Sequence, residues 1–455
     1  MLTSSELYDA APHRHAPLSL SLLLSLSLSL GRRRLRRDLI GNLAPMTGRR
    51  RWTLDVALTT VVAFLVALAA GRIVAWMAWL LAWPGDDRLW WVSLPAAGAA
   101  IAVLVVAFAR VTPATTEAYA HGVNHGGLAI GPAPSRFVAL VSGVGVGAPL
   151  GPDEPMMYFG GSLGAFVARR TGRPERWCVL AGATAALAMV IGAPIAAALF
   201  ASEVARRGVP RRRDRLPLAI GAVAAWGARR LSGDTGGVLG IDPGFTLSRV
   251  AVGALAIGGV AALVGRLFVP AIRAAKRVQV PLDIRVCVVL ITLGTAIVVG
   301  WWATGEAIFL GPGERLRDWA VGASQPGLLA AALVFAVLVV AMVACGVIGG
   351  LFLPLLSLGS LLGVLIGRAW LPDVPYVACA GIGACSLLAA AHGTPFTAAA
   401  VAFATFGWSS TAWLAVVGVA LASSAAGDHS VTTFQIRAVA AGHPLHRRAH
   451  RRSTR

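Results

Sequence analysis

Charged residues are scarce in this chain. Asp, Glu, Lys and Arg make up 13% of its 455 residues, about half the ~25% usual in a soluble domain, and this excludes a water-soluble fold. Acids are scarcer still, 20 Asp and Glu against 40 Lys and Arg, for a net charge of +20. In a soluble protein that balance would point to nucleic acid. Here the arginines gather at the ends of apolar segments, at Arg49 to Arg51, Arg206 to Arg215 and Arg447 to Arg455. That is the pattern of positive-inside loops in contact with anionic lipid. A nucleic-acid partner is set aside, and the 206–215 loop and the C-terminal tail are expected on the cytoplasmic side. The cysteines number five, Cys178, Cys287, Cys345, Cys379 and Cys385, all in apolar segments and without metal-ligand spacing. They exclude a disulfide framework and read as small packing residues. His121 and His125 are four apart but lack a third ligand. The sequence has no His-Glu-x-x-His, and the formal Gly-x-Ser-x-Gly match at Gly160-Gly-Ser-Leu-Gly164 sits inside an apolar Gly-xxx-Gly segment and not in a strand-to-helix elbow, so neither an enzyme nor a cofactor is expected.

What is abundant is apolar sequence, 57% of the chain. Runs of roughly 20 residues, enough to cross a ~30 Å hydrocarbon core, lie at Val56 to Trp83, Trp90 to Ala109, Val250 to Val269, Val286 to Ala303 and Leu328 to Val347. Arg72 and Arg266 each interrupt one of them. Other segments, near 137–148, 156–168, 177–203, 351–370, 374–391 and 396–426, are broken by Gly or Pro. Tryptophans, including the Trp90-Trp91 and Trp301-Trp302 pairs, flank spans as interfacial anchors do. The chain therefore reads as an all-α, multi-pass protein of the cell membrane. Residues 1–48, with a Leu/Ser alternation followed by an arginine cluster, read as a disordered low-complexity extension, with Met46 a plausible initiator. Residues 49–445 form the transmembrane domain, and 446–455 a short basic tail.

The broken segments repeat. Aligning Pro155 with Pro354 brings Gly160 onto Gly359, Gly164 onto Gly363 and Arg169 onto Arg368. Downstream, Gly192-Ala-Pro194 resembles Gly393-Thr-Pro395. The halves run from about 52 to 231 and from about 250 to 440. Interrupted hydrophobic segments at matching positions of two halves predict inverted repeats whose broken helices meet near the membrane midplane. A helix that begins there leaves its first N–H groups unpaired and aims a partial positive charge at the centre. An anion satisfies both. Gly147-Ala-Pro-Leu-Gly-Pro-Asp-Glu-Pro155 and Gly346-Val-Ile-Gly-Gly-Leu-Phe-Leu-Pro354 are the candidate pore walls, while the later Gly-xxx-Gly pairs are explained by close helix packing.

These residues resemble the chloride channel and chloride/proton antiporter (CLC) family. Gly151-Pro-Asp-Glu-Pro155 is similar to the family's Gly-[Lys/Arg/Pro]-Glu-[Gly/Ala]-Pro, Gly350-Leu-Phe-Leu-Pro354 to its Gly-x-Phe-x-Pro, and Phe200-Ala-Ser-Glu203-Val204 to its Phe-x-x-Glu-Glu. The resemblance spans about residues 52–445 and implies a homodimer with one pathway per subunit for chloride or a similar anion. It places the anion against Gly151, Pro155, Gly350, Leu351, Phe352, Leu353 and Pro354. The gating carboxylate falls on Asp153, or, with a one-residue slip, on Glu154. The antiporter's inner glutamate falls on Val204, which cannot relay a proton, with Glu203 next to it as either a substitute or a helix cap. The family's coordinating serine falls on Pro113, beside the hydroxyls of Thr115 and Thr116; its coordinating tyrosine falls on Thr432 by spacing or His446 by local likeness. On these departures the expected function is channel-like anion conduction gated by Asp153. A proton-coupled antiporter is the alternative, and a non-conducting membrane scaffold the alternative from another class. His392, ahead of Gly393-Thr-Pro395, is either a proton or anion contact or a packing histidine, and Asp428 and His429 hold a helix end or face a permeation path.

Overall fold

The computed structural model describes residues 48–82, 88–232, 247–427, 429–432 and 435. Among them are sixteen α-helices: α1 Gly48–Ala82, α2 Arg88–Phe108, α3 Thr115–His125, α4 Ala133–Gly143, α5 Asp153–Thr171, α6 Glu175–Ile191, α7 Pro194–Glu203 and α8 Arg212–Leu231 in the first half, then α9 Leu247–Ala275, α10 Leu282–Thr304, α11 Glu314–Ala320, α12 Gln325–Cys345, α13 Phe352–Trp370, α14 Tyr376–His392, α15 Pro395–Phe406 and α16 Ser410–Ala426. No strand longer than one isolated bridge occurs among the described residues. Five stretches, Trp52–Leu81, Ala251–Ala275, Leu282–Thr304, Gln325–Cys345 and Phe352–Trp370, are long and apolar enough to cross a membrane. Large apolar side chains such as Leu65, Leu263, Ile291 and Val337 face outward, which hydrocarbon tolerates and water does not.

The punctuation seen in the sequence sets where helices stop. Gly192 and Gly393 close α6 and α14 in the left-handed conformation, at φ 71° and 67°, and Pro194 and Pro395 open α7 and α15. A left-handed glycine followed by a proline at the first helical position ends one helix and starts another with little strain. The apolar stretch 177–203 therefore becomes two helices, and the matching break in the second half separates 374–391 from 396–426, which is itself divided at Gly407; no half-length piece spans a bilayer alone.

Small residues let the helices of each hairpin touch. In the first half, a side chain at Gly160 would collide with the carbonyl of Gly182, and one at Gly164 with that of Cys178. In the second, Gly359 stands in the same way against Gly383 and Gly363 against Cys379. The α5/α6 and α13/α14 hairpins thus use one contact pattern twice, and Cys178 and Cys379 sit in it as small packing residues.

One expectation needs adjusting. The basic 206–215 loop ends at Arg211, because Arg212 to Arg215 form the first turn of α8. Asp214 in that turn is held by Arg176 through two hydrogen bonds of 2.7 Å each, and an acid at a helix N-terminus is favoured by the dipole. Residues 1–47, the 446–455 tail, Asp428 and His446 lie outside the described residues.

Candidate functional site

The two glycine-rich loops meet. Gly151 N–H donates to the Gly350 carbonyl at 2.9 Å and Gly350 N–H to the Gly151 carbonyl at 2.6 Å, forming an antiparallel bridge. Just past it α5 begins at Asp153 and α13 at Phe352, so two helix N-termini with their unpaired N–H groups converge. Glycine is needed on both sides of the bridge, since a side chain at Gly151 or Gly350 would run into the Asp153 carboxylate.

The first donors of α13 are already taken. Leu351 N–H donates to Glu154 Oε1 at 2.9 Å and Phe352 N–H to Asp153 Oδ2 at 3.2 Å. Asp153 is fully buried and Glu154 is 4% exposed. A helix N-terminus is a ready site for a small anion, and here the chain's own carboxylates occupy it. Glu154 has two more partners: Thr116 Oγ1 donates to Oε2, and His392 Nε2 lies 2.8 Å from Oε1. Asp153 Oδ1 is buried with no partner.

Glu154 opens onto a cavity of about 650 Å³, whose lining includes Thr115, Thr116, Glu117, Lys276, Arg285 and Leu351. Lys276, the chain's single lysine, pairs with Glu117 and donates to the Val431 carbonyl at 3.0 Å. With Arg277 and Arg285 also on the wall, cations outnumber acids there, and a low-dielectric recess of that sign concentrates anions.

Of the other expected residues, Thr115 lies on this lining with its buried hydroxyl unpartnered. Pro155, Leu353 and Pro354 fall in the first turns of α5 and α13. Glu203 is fully buried elsewhere. It accepts from Phe396 N–H at 3.2 Å, Thr397 N–H at 2.7 Å and Thr397 Oγ1 at 2.6 Å, so it caps α15. Val204, beside it, is fully buried. Thr432 is buried, and its N–H donates to Ser430 Oγ at 3.2 Å. It belongs to the segment that backs His392 and not to the cavity lining. His429 is exposed. His121 and His125 stack with ring centroids 4.8 Å apart at the end of α3, and among the described residues no group of three or more His, Cys, Asp or Glu gathers as a metal site.

Sequence reasoning missed Lys276 and Arg285 and left the partner of His392 open. A lone lysine beside a long apolar segment was a usable signal; nothing in the sequence placed His392 against Glu154.

The sequence profile of the family described as voltage gated chloride channel matches residues 97–428. The H(+)/Cl(-) exchange transporter ClcA of Cronobacter sakazakii is 30% identical over 287 residues, 58% of this chain and 60% of that protein's length. Among solved structures, a CLC-type fluoride/proton antiporter superposes with a TM-score of 0.74 at 20% identity, covering 86% of this chain and all of that one. A slow cyanobacterial Cl−/H+ antiporter gives 0.64 at 19% identity, over 81% of this chain and 94% of that one. At such identities the structures speak to the fold alone, whereas the profile spans most of the sequence. The chain belongs to the voltage-gated chloride channel (CLC) family.

Proposed function

We propose that this protein exchanges chloride or a similar small anion for protons across a membrane, with Glu154 and Asp153 as the carboxylates that link the two movements. The observation that carries the reading is the pair of buried acids seated on the first N–H groups of α13, beside a cavity with a cationic lining. An ionised carboxylate competes with an anion for those donors; once protonated it loses the charge-assisted part of the bond and gives way. Anion entry and proton uptake then become two sides of one event. The cavity ends at Glu154 and not at Asp153, so in this reading Glu154 meets the incoming anion and Asp153 holds the second donor.

Passive conduction was the expectation drawn from Val204. The name of the ClcA relative, an exchange transporter, favours exchange, and the Asp153 and Glu154 geometry supplies carboxylates for it without any acid at position 204. A homodimer and a cytoplasmic face for Arg206 to Arg211 are part of the same proposal. Simultaneous recording of chloride and proton flux from reconstituted liposomes tests it: a chloride gradient is expected to drive protons against their own gradient. Chloride flux with no proton movement would restore the channel reading, and no flux of either ion from well-folded protein the scaffold reading.

A further inference from the structure

His392 is the last residue of α14, fully buried, and 238 positions from the glutamate it touches. Its main chain is tied down from several directions. The His392 carbonyl accepts from Ser430 Oγ at 2.7 Å and the Ala391 carbonyl from Val431 N–H at 2.9 Å. The carbonyls of Ser430 and Val431 are in turn held by Arg273 Nε at 2.7 Å, on α9, and Lys276 Nζ at 3.0 Å, one residue past its end. The ring packs edge-on against Phe200 of α7, centroids 5.0 Å apart, and Phe200 packs likewise on Phe352 at the start of α13. Position and plane are thereby fixed.

Its polar edge is not fixed. Nε2 meets Glu154 Oε1, while Nδ1 is buried and has no hydrogen-bond partner. The tautomer of an imidazole is normally set by whatever its second nitrogen contacts. A packing histidine in an apolar interior is expected to have both nitrogens engaged or one exposed, because an orphaned polar atom there is costly. With Nδ1 unpinned, Nε2 can donate to Glu154 when it is a carboxylate and accept from it when it is a carboxylic acid.

We propose, on the reading of the protein as a proton-coupled exchanger, that His392 is the proton-exchange partner of Glu154. The step moves one proton along one contact. An imidazolium at His392 gives its Nε2 proton to Glu154 Oε1, leaving neutral imidazole with Nδ1–H and a neutral carboxylic acid; no other bond forms or breaks. The uncharged acid releases Leu351 N–H and swings out, which vacates the donors for an anion and opens Nε2 to the cavity. The displaced acid gives its proton to solvent beyond the site, a hydrated proton from the cavity recharges Nε2, and the returning carboxylate meets an imidazolium again. The charged groups around the pair are Asp153 beside Glu154 on α5, Glu203 at the end of α7, Arg273 on α9, Lys276 just past the end of α9, and Glu117 on α3, which Lys276 already neutralises. In the first repeat the position matching His392 is Ile191, so the proton partner is confined to one half.

The test compares wild type with His392→Gln, whose amide reaches the Nε2 position yet neither gains nor loses a proton in this range. Chloride and proton fluxes are recorded together from liposomes at several values between about pH 5 and pH 8. We expect the protons moved per chloride in His392→Gln to fall by about tenfold or more, with the pH dependence of chloride flux flattened. Equal coupling and an unchanged pH profile in the variant would overturn the role of His392 while leaving the exchange reading intact. A wild type that moves chloride without protons would overturn both. Should the variant not fold, nitrogen NMR of histidine-labelled wild type, assigned with Glu154→Gln, supplies the second readout: the ring signal contacting Glu154 is expected to change over the same pH range, and a signal that stays constant sinks the proposal.

Discussion

The two repeat halves share a scaffold and divide the chemistry. Hairpin α5/α6 and hairpin α13/α14 make the same glycine contacts, and the α6 to α7 and α14 to α15 breaks use the same left-handed glycine and proline. Yet the first half supplies the acids and the second the backbone N–H groups of the opposite helix starts that hold them. Asp153 and Glu154 cap α13, and Glu203 caps α15. The positions matching the first two acids in the second half are Phe352 and Leu353, and the one matching Glu203 is Ala404. A symmetric backbone brings helix ends to one place; placing acceptors on one side only makes the halves complementary, where two facing acid clusters would repel. His392 and Lys276 add cationic or protonatable partners from the second half, so the site lies on the repeat interface.

The largest expected effect breaks this division at its acid. Glu154→Gln keeps the shape and removes the titratable oxygen, and proton flux per chloride in liposomes is expected to fall by roughly 100-fold or more. Retained coupling would move the proton role to Asp153, and Asp153→Asn in the same assay would decide it. The next effect tests the shared scaffold. Gly160→Ala and Gly359→Ala each force a methyl onto the carbonyl of the facing helix, and each is expected to cost roughly 1–3 kcal/mol, read as matching drops in thermal stability of the purified protein. A large loss at one glycine and none at the other would mean the hairpins are not energetically equivalent. The smallest effect concerns Glu203. Glu203→Ala strands the N–H groups of Phe396 and Thr397 and should destabilise by about 1–3 kcal/mol, Glu203→Gln by less, with coupling kept in both. Coupling lost in a stable Glu203→Gln protein would make it a proton carrier and not a cap.

Much of this was legible in the sequence because it is local. A proline at a helix start, a glycine in the left-handed conformation at a helix end and a glycine where backbones touch are dictated by sterics within a few residues. The repeat multiplied that signal by two. The 206–215 stretch was read as loop throughout because its arginines are informative about lipid and silent about helix starts; the Asp214 to Arg176 pair that anchors α8 joins separate elements. The site was legible only as a neighbourhood. Asp153 and Glu154 are adjacent, and no periodicity tells which one opens to the cavity: that depends on how α5 is rotated against α3 and α13. Thr116 and Thr115 differ in the same way, one hydroxyl turned to Glu154 and the other left without a partner.

The sequence by itself determined a helical membrane chain, where its helices break, and that two glycine loops of opposite halves face one site, since composition and backbone sterics carry that information. Only the tertiary structure decided that the loops pair at Gly151 and Gly350, that Glu203 caps α15, and that His392 meets Glu154. Those contacts join residues about 200 positions apart, and a contact of that range follows from how the packed helices are rotated, which no local pattern encodes.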